Sequence, residues 1–141
     1  MNIGFLGLGK LGLPVSLAVE DKGHKVFGYD ISQQTIDDIK NRKIRYREEW
    51  VDKYLPTTKL EITNIDDLVK KSEIIFVPIQ TPHDPKYEGV TRIPSKRIDF
   101  DYTFLKSGIK DLSKAIEKNG KDKVVIILSL IHISEPTRRY S

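Results

Sequence analysis

Four residues near the start of the chain have the types and spacing to bind a phosphorylated ligand. Gly7, Gly9 and Gly12 form the run Gly7-Leu8-Gly9-Lys10-Leu11-Gly12, and Asp30 follows Gly12 by eighteen positions. In such a Gly-x-Gly-x-x-Gly turn the first glycine permits a tight reversal. The second lets a pyrophosphate approach the backbone, and the third lets a helix pack closely on a strand. Backbone N–H groups at a helix start, reinforced by its positive dipole end, then face the phosphates. An acid about 20 residues on accepts from a ribose 2′-hydroxyl. Asp30 meets that requirement, and Ile31, Ser32, Gln33 and Gln34 bring no cation to neutralise a 2′-phosphate. The pattern therefore selects NAD over NADP. Gly7, Gly9, Lys10, Leu11, Gly12 and Asp30 are the candidate cofactor-binding residues of this stretch.

These residues do their work only if a strand precedes the turn and a helix follows it. Asn2-Ile3-Gly4-Phe5-Leu6 is an apolar run suited to a buried strand, and residues 10–22 read as a helix, closed by Lys22-Gly23. Residues 25–30 form a second strand that delivers Asp30 at its end. Ser32 is placed to cap a helix over 33–41, and Asn64 or Asp66 to cap another through Lys71. Lys59 to Thr63 alternates as a strand does.

Glu73-Ile74-Ile75-Phe76-Val77-Pro78-Ile79 is a continuous apolar run, as expected of a central parallel strand. Thr81 follows that strand at its carboxyl end, where ligands sit in open parallel sheets, and is the seventh candidate cofactor contact. A long loop is expected over 83–97. Residues 102–118 carry Tyr102, Leu105, Ile109, Leu112 and Ile116 on one helical face, and Lys123 to Ile127 opens a fifth strand. Alternating strands and helices give an α/β fold, a Rossmann-like doubly wound parallel sheet, incomplete at its C-terminal end.

Composition narrows the chemistry. The 141 residues suit one domain, and 38% of them are apolar. There is no cysteine, so thiolate metal sites and a cysteine nucleophile are excluded within the chain. His24 reads as a surface residue and His83 as a solvated loop residue, and no metal-ligand spacing occurs. No apolar run approaches the ~20 residues of a membrane span, and a cytoplasmic location is the expectation. The net charge of +4 is too small and too interspersed to indicate nucleic acid. The basic segment from Lys40 to Lys53 carries Tyr46 and Trp50. With Tyr54 these fall at i, i+4 and i+8, which predicts an amphipathic helix or lid over 43–55 with its aromatic face inward, ended by Pro56.

Taken together, several of these stretches resemble the N-terminal NAD-binding domain of the UDP-glucose/GDP-mannose dehydrogenase family. The resemblance rests on Gly7 to Pro14, Gly23-His24-Lys25-Val26, Gly28-Tyr29-Asp30-Ile31, Thr81-Pro82, Asp99-Phe100-Asp101-Tyr102 and Val124 to Ile127. It departs from the family's pattern at Lys10-Leu11, Thr35 and Gln80. It implies an oxidoreductase that converts the primary alcohol of a nucleotide-sugar substrate to a carboxylate while reducing two NAD. It also implies a cysteine that holds the aldehyde stage as a thiohemiacetal and then a thioester, and a homodimer for the whole enzyme. The family's catalytic residues have no counterpart in this chain. Two alternatives stay open: another NAD-dependent dehydrogenase of the 3-hydroxyacid or 6-phosphogluconate type, and a non-catalytic NAD-binding module.

The end of the chain departs from that pattern. Leu128 to Arg138 spell the in-frame translation of a common transposase sequencing adapter. Residues 128–141 are accordingly expected to be non-native, and residues 1–127 to be a truncated Rossmann domain.

Overall fold

The computed structural model describes residues 1–78, 103–120 and 122–128, with the side chains of 103–105 left aside. The chain alternates strand and helix from its first residues: β1 (Asn2–Leu6), α1 (Gly12–Asp21), β2 (Lys25–Tyr29), α2 (Gln33–Lys40) and α3 (Glu49–Tyr54). A 3₁₀ turn (Leu55–Thr57) leads into β3 (Glu61–Ile62), followed by α4 (Ile65–Lys71), β4 (Ile74–Pro78), α5 (Thr103–Asn119) and β5 (Val124–Leu128). All strand pairs are parallel, in the order β3-β2-β1-β4-β5. The chain thus runs outward from β1 to β3, then returns to place β4 on the other side of β1. Ligands of open α/β sheets bind at such a reversal, beyond the carboxyl ends of the strands.

Each face of the sheet carries its own core. On one face Leu13 and Leu17 of α1, Ile39 of α2 and Val51 of α3 bury against Ile3, Phe5 and Val26. On the other, Leu68 and Val69 of α4 and Leu112 and Ala115 of α5 bury against Leu6, Phe27, Ile75 and Val77. Strands covered on both sides need apolar residues at every position, which is why β4 reads as an unbroken apolar run. Phe5 and Phe76 stack at 5.1 Å between ring centroids and tie β1 to β4.

The helix starts follow local chemistry. Ser32 Oγ accepts from the Thr35 N–H at 3.2 Å and Asn64 Oδ1 from the Asp67 N–H at 2.8 Å, each satisfying an amide that the first turn leaves without a partner. Gly23, at φ +97°, lets the chain leave α1 for β2. Asn119 donates to the Ala115 carbonyl and to Asp66, fastening the end of α5 to α4.

Three expectations need correction. The predicted helix over 43–55 shrinks to Glu49–Tyr54, and Tyr46 lies outside it. Arg42 at φ +60° and Glu48 in an extended conformation (φ −150°, ψ 109°) break the backbone before the helix starts. Pro56 does not terminate this segment but sits inside the 3₁₀ turn. The strand over 59–63 reduces to Glu61–Ile62, because Lys59 and Thr58 bond instead to the Glu20 carboxylate at the end of α1.

β5 extends one residue beyond expectation, with Leu128 paired to Pro78. Among the described residues it forms one edge of the sheet, and Val124 and Ile127 on it are exposed.

Candidate functional site

The glycine turn lies at the reversal point. β1 ends at Leu6, and Gly7 takes φ +128°, a conformation L side chains rarely adopt. A Cβ there would also come within 3.0 Å of the Pro78 carbonyl oxygen. The Gly7 N–H donates to the Tyr29 carbonyl at 2.8 Å, so the turn is tied to the end of β2. Leu8 then folds its side chain into the core, where it rests on Gly28; a Cβ on Gly28 would meet Leu8 Cδ1 at 2.8 Å.

Gly9 and Gly12 have opposite surroundings. A Cβ on Gly9 would meet nothing within 4 Å among the described residues, which leave open space above the turn. A Cβ on Gly12 would overlap the Gly7 carbonyl and come within 2.9 Å of Pro78 Cγ. The first turn of α1 is therefore pressed against both the glycine turn and the end of β4. Pro78 can occupy this position because β4 pairs with β1 only as far as Phe76, beyond which β1 has turned away.

The start of α1 is open as well. Its N-cap position is Leu11, with no side-chain cap and no acid in the first turn. The N–H groups of Gly9, Lys10 and Leu11 have no partner among the described residues. These amides, beside the clear space over Gly9, form a cradle suited to a phosphate group. Exposed Lys10 brings a positive charge to the same edge.

Asp30 follows β2 directly. Its Oδ2 accepts the Leu8 N–H at 2.8 Å and its Oδ1 accepts the Ser32 N–H at 2.8 Å. The carboxylate therefore joins the glycine turn to the start of α2, a role the spacing gives no sign of. An ionised carboxylate has about four acceptor positions, so each oxygen retains capacity for a further donor such as a ribose hydroxyl. Ile31, beside it, is 81% exposed.

Tyr46 is the residue near this edge that the sequence misplaces. Its ring lies 5.8 Å from Lys10 Nζ, within cation–π reach, and its hydroxyl is buried with no partner among the described residues. Burial pushes the Tyr46 phenol above its ordinary value, and the Glu48 carboxylate adds to the effect. Two neighbouring basic residues are engaged within the protein: Arg45 pairs with Asp38 at 3.2 Å, and Arg42 donates to the Leu55 carbonyl.

The structure thus brings together Gly7, Gly9, Lys10, Leu11, Gly12 and Asp30. Thr81, His83, the 83–97 loop, Asp99 to Tyr102 and residues 129–141 lie outside the described residues. An apolar groove of about 550 Å³, lined by Ile3, Val15, Val19, Trp50, Ile74 and Phe76, is a separate feature. Ile3, His24 and Ile74 place one end of it at the amino ends of the strands, and Pro14, in the first turn of α1, lines it as well. No group of three or more metal-ligating side chains occurs among the described residues, and no helix among them is long and apolar enough to cross a membrane.

Comparison with known proteins settles the family. The sequence profile of the UDP-glucose/GDP-mannose dehydrogenase family, NAD-binding domain, matches residues 1–137. The chain belongs to this family. Its cofactor is NAD, and the cradle over Gly9 fits one. Protein CapL of Staphylococcus aureus is 39% identical over 83 residues, covering 59% of this chain and 19% of CapL. The UDP-N-acetyl-D-mannosamine dehydrogenase of Pyrococcus horikoshii is 27% identical over 135 residues, covering 93% of this chain and 29% of that protein. A GDP-mannose dehydrogenase structure from Pseudomonas aeruginosa superposes with a TM-score of 0.73 at 23% identity, covering 92% of this chain and 28% of that one. It supports the shared fold. The chain spans less than a third of the length of each of these relatives.

Proposed function

We propose that this domain holds NAD for an enzyme that oxidises the primary alcohol of a nucleotide sugar to a carboxylate. The observation that carries the reading is the juxtaposition of the Gly9, Lys10 and Leu11 amides, which have no partner among the described residues, with the Asp30 carboxylate across the turn. The amides would hold the pyrophosphate and Asp30 the adenosine ribose, with Thr81 as a further contact. Gly7 and Gly12 would act by shape, the one making the turn and the other bringing α1 up to it. NAD supplies a hydride acceptor when bound.

The chain itself binds and orients. It has no cysteine, so the thiol chemistry that the resemblance implies is assigned to polypeptide outside these 141 residues. We read residues 128–141 as foreign to the natural protein, and re-sequencing the source DNA across the codons for Ile127 and Leu128 tests that reading.

Ligand-dependent stability tests the binding role. NAD at a hundred times its dissociation constant should add about 2.7 kcal/mol to the folded state and raise the melting temperature. NADP at the same concentration should raise it far less. Equal stabilisation by the two nucleotides would contradict the assignment of Asp30.

A further inference from the structure

We infer that Asp30 is a positioning residue for the glycine turn as well as a reader of the ribose, so that one carboxylate both shapes the phosphate cradle and selects the cofactor. The inference rests on the NAD-binding reading above and goes beyond it. Leu8, the residue between the first two glycines, is fixed at both ends. Its side chain is 1% exposed and packs on Gly28, while its N–H donates to Asp30 Oδ2 at 2.8 Å. The adjoining Gly7 N–H is held by the Tyr29 carbonyl.

The other Asp30 oxygen accepts from the Ser32 N–H at 2.8 Å, and Ser32 in turn caps α2. Charge-assisted bonds to backbone amides are about twice as strong as neutral ones. The carboxylate therefore ties the turn, the end of β2 and the start of α2 into one unit before any nucleotide arrives.

This has a consequence for specificity. If Asp30 only read the ribose, a small neutral residue there would remove the repulsion of a 2′-phosphate and admit NADP. Because Asp30 also holds Leu8, its removal releases the turn that both nucleotides need. Asp30→Ser should weaken NAD at least tenfold without tightening NADP beyond the wild-type value. Asp30→Asn, which presents an NH₂ group in place of one acceptor, should behave alike.

The experiment uses the 141-residue chain and both variants. Amide hydrogen exchange at Leu8 is followed by NMR without nucleotide, with the β1 core amide of Phe5 as internal reference, and NAD and NADP dissociation constants are then measured. The expected result is that Leu8 exchanges at least tenfold faster relative to Phe5 in both variants, with no gain for NADP. Exchange at Leu8 that keeps pace with Phe5, or an Asp30→Ser protein that binds NADP more tightly than wild type, would overturn the proposal. If the variants do not fold, the wild-type chain decides. A scalar coupling across the hydrogen bond, from the Leu8 amide nitrogen to the Asp30 carboxyl carbon, sustains the lock, and its absence overturns it. A wild-type chain that binds neither nucleotide yet shows the Leu8 contrast overturns the cofactor reading and leaves the turn lock standing.

Discussion

Gly12 lies so close to Gly7 that a single methyl group on Gly12 would overlap the Gly7 carbonyl oxygen. Pro78 Cγ closes the same space from β4. The contact is backbone against backbone, so no side chain can swing away to relieve it. Gly12→Ala is therefore expected to destabilise the fold by about 2 kcal/mol or more, as overpacked sites do. Urea denaturation would check this, and a loss below about 0.5 kcal/mol would mean that the start of α1 can shift freely.

Gly9→Ala is expected to separate stability from binding. Nothing among the described residues lies within 4 Å of the added methyl, and Gly9 is not among those with positive φ. Stability should hold or rise by up to about 1 kcal/mol, since alanine restricts the unfolded chain. NAD affinity should fall at least tenfold, equivalent to about 1.4 kcal/mol, because the methyl enters the space proposed for the pyrophosphate. Calorimetric titration beside a melting curve reads both quantities.

Tyr46 gives a prediction in alkaline solution. Its phenol titrates above the ordinary value in the folded chain, so at high pH the folded state binds more protons than the unfolded one. The stability this contributes is complete below about pH 10 and declines as pH rises through the folded value. Tyr46→Phe should remove that component of the decline. It should cost little at neutral pH, because the buried hydroxyl has no partner among the described residues to lose. Urea midpoints at pH 8 and pH 10.5 for the two proteins provide the check, and an equal drop in both would contradict it.

Much of this was legible because it is local. The glycine turn, Asp30 at the end of β2, and the caps at Ser32 and Asn64 are fixed by residue type and short spacing. What escaped depends on contacts distant in sequence. The i, i+4, i+8 spacing of Tyr46, Trp50 and Tyr54 suggested one helix. Only Trp50 and Tyr54 share it, with ring centroids 4.3 Å apart, while Tyr46 turns towards Lys10, thirty-six positions earlier. The spacing proposes Asp30 as a ribose acid, but its bond to Leu8 spans twenty-two positions and depends on the direction of a side chain. β3 is shorter than its alternation suggests because Glu20, on another element, takes the Lys59 N–H.

The most direct test of NAD binding at the glycine turn is an NMR titration of the ¹⁵N-labelled chain with NAD and, separately, NADP. NAD is expected to move the amide resonances of Gly9, Lys10 and Leu11 most, with Asp30 and Ile31 following, and NADP to move them far less at equal concentration. Shifts confined to the apolar groove around Trp50 and Phe76, or an unchanged glycine turn at saturating NAD, would contradict it.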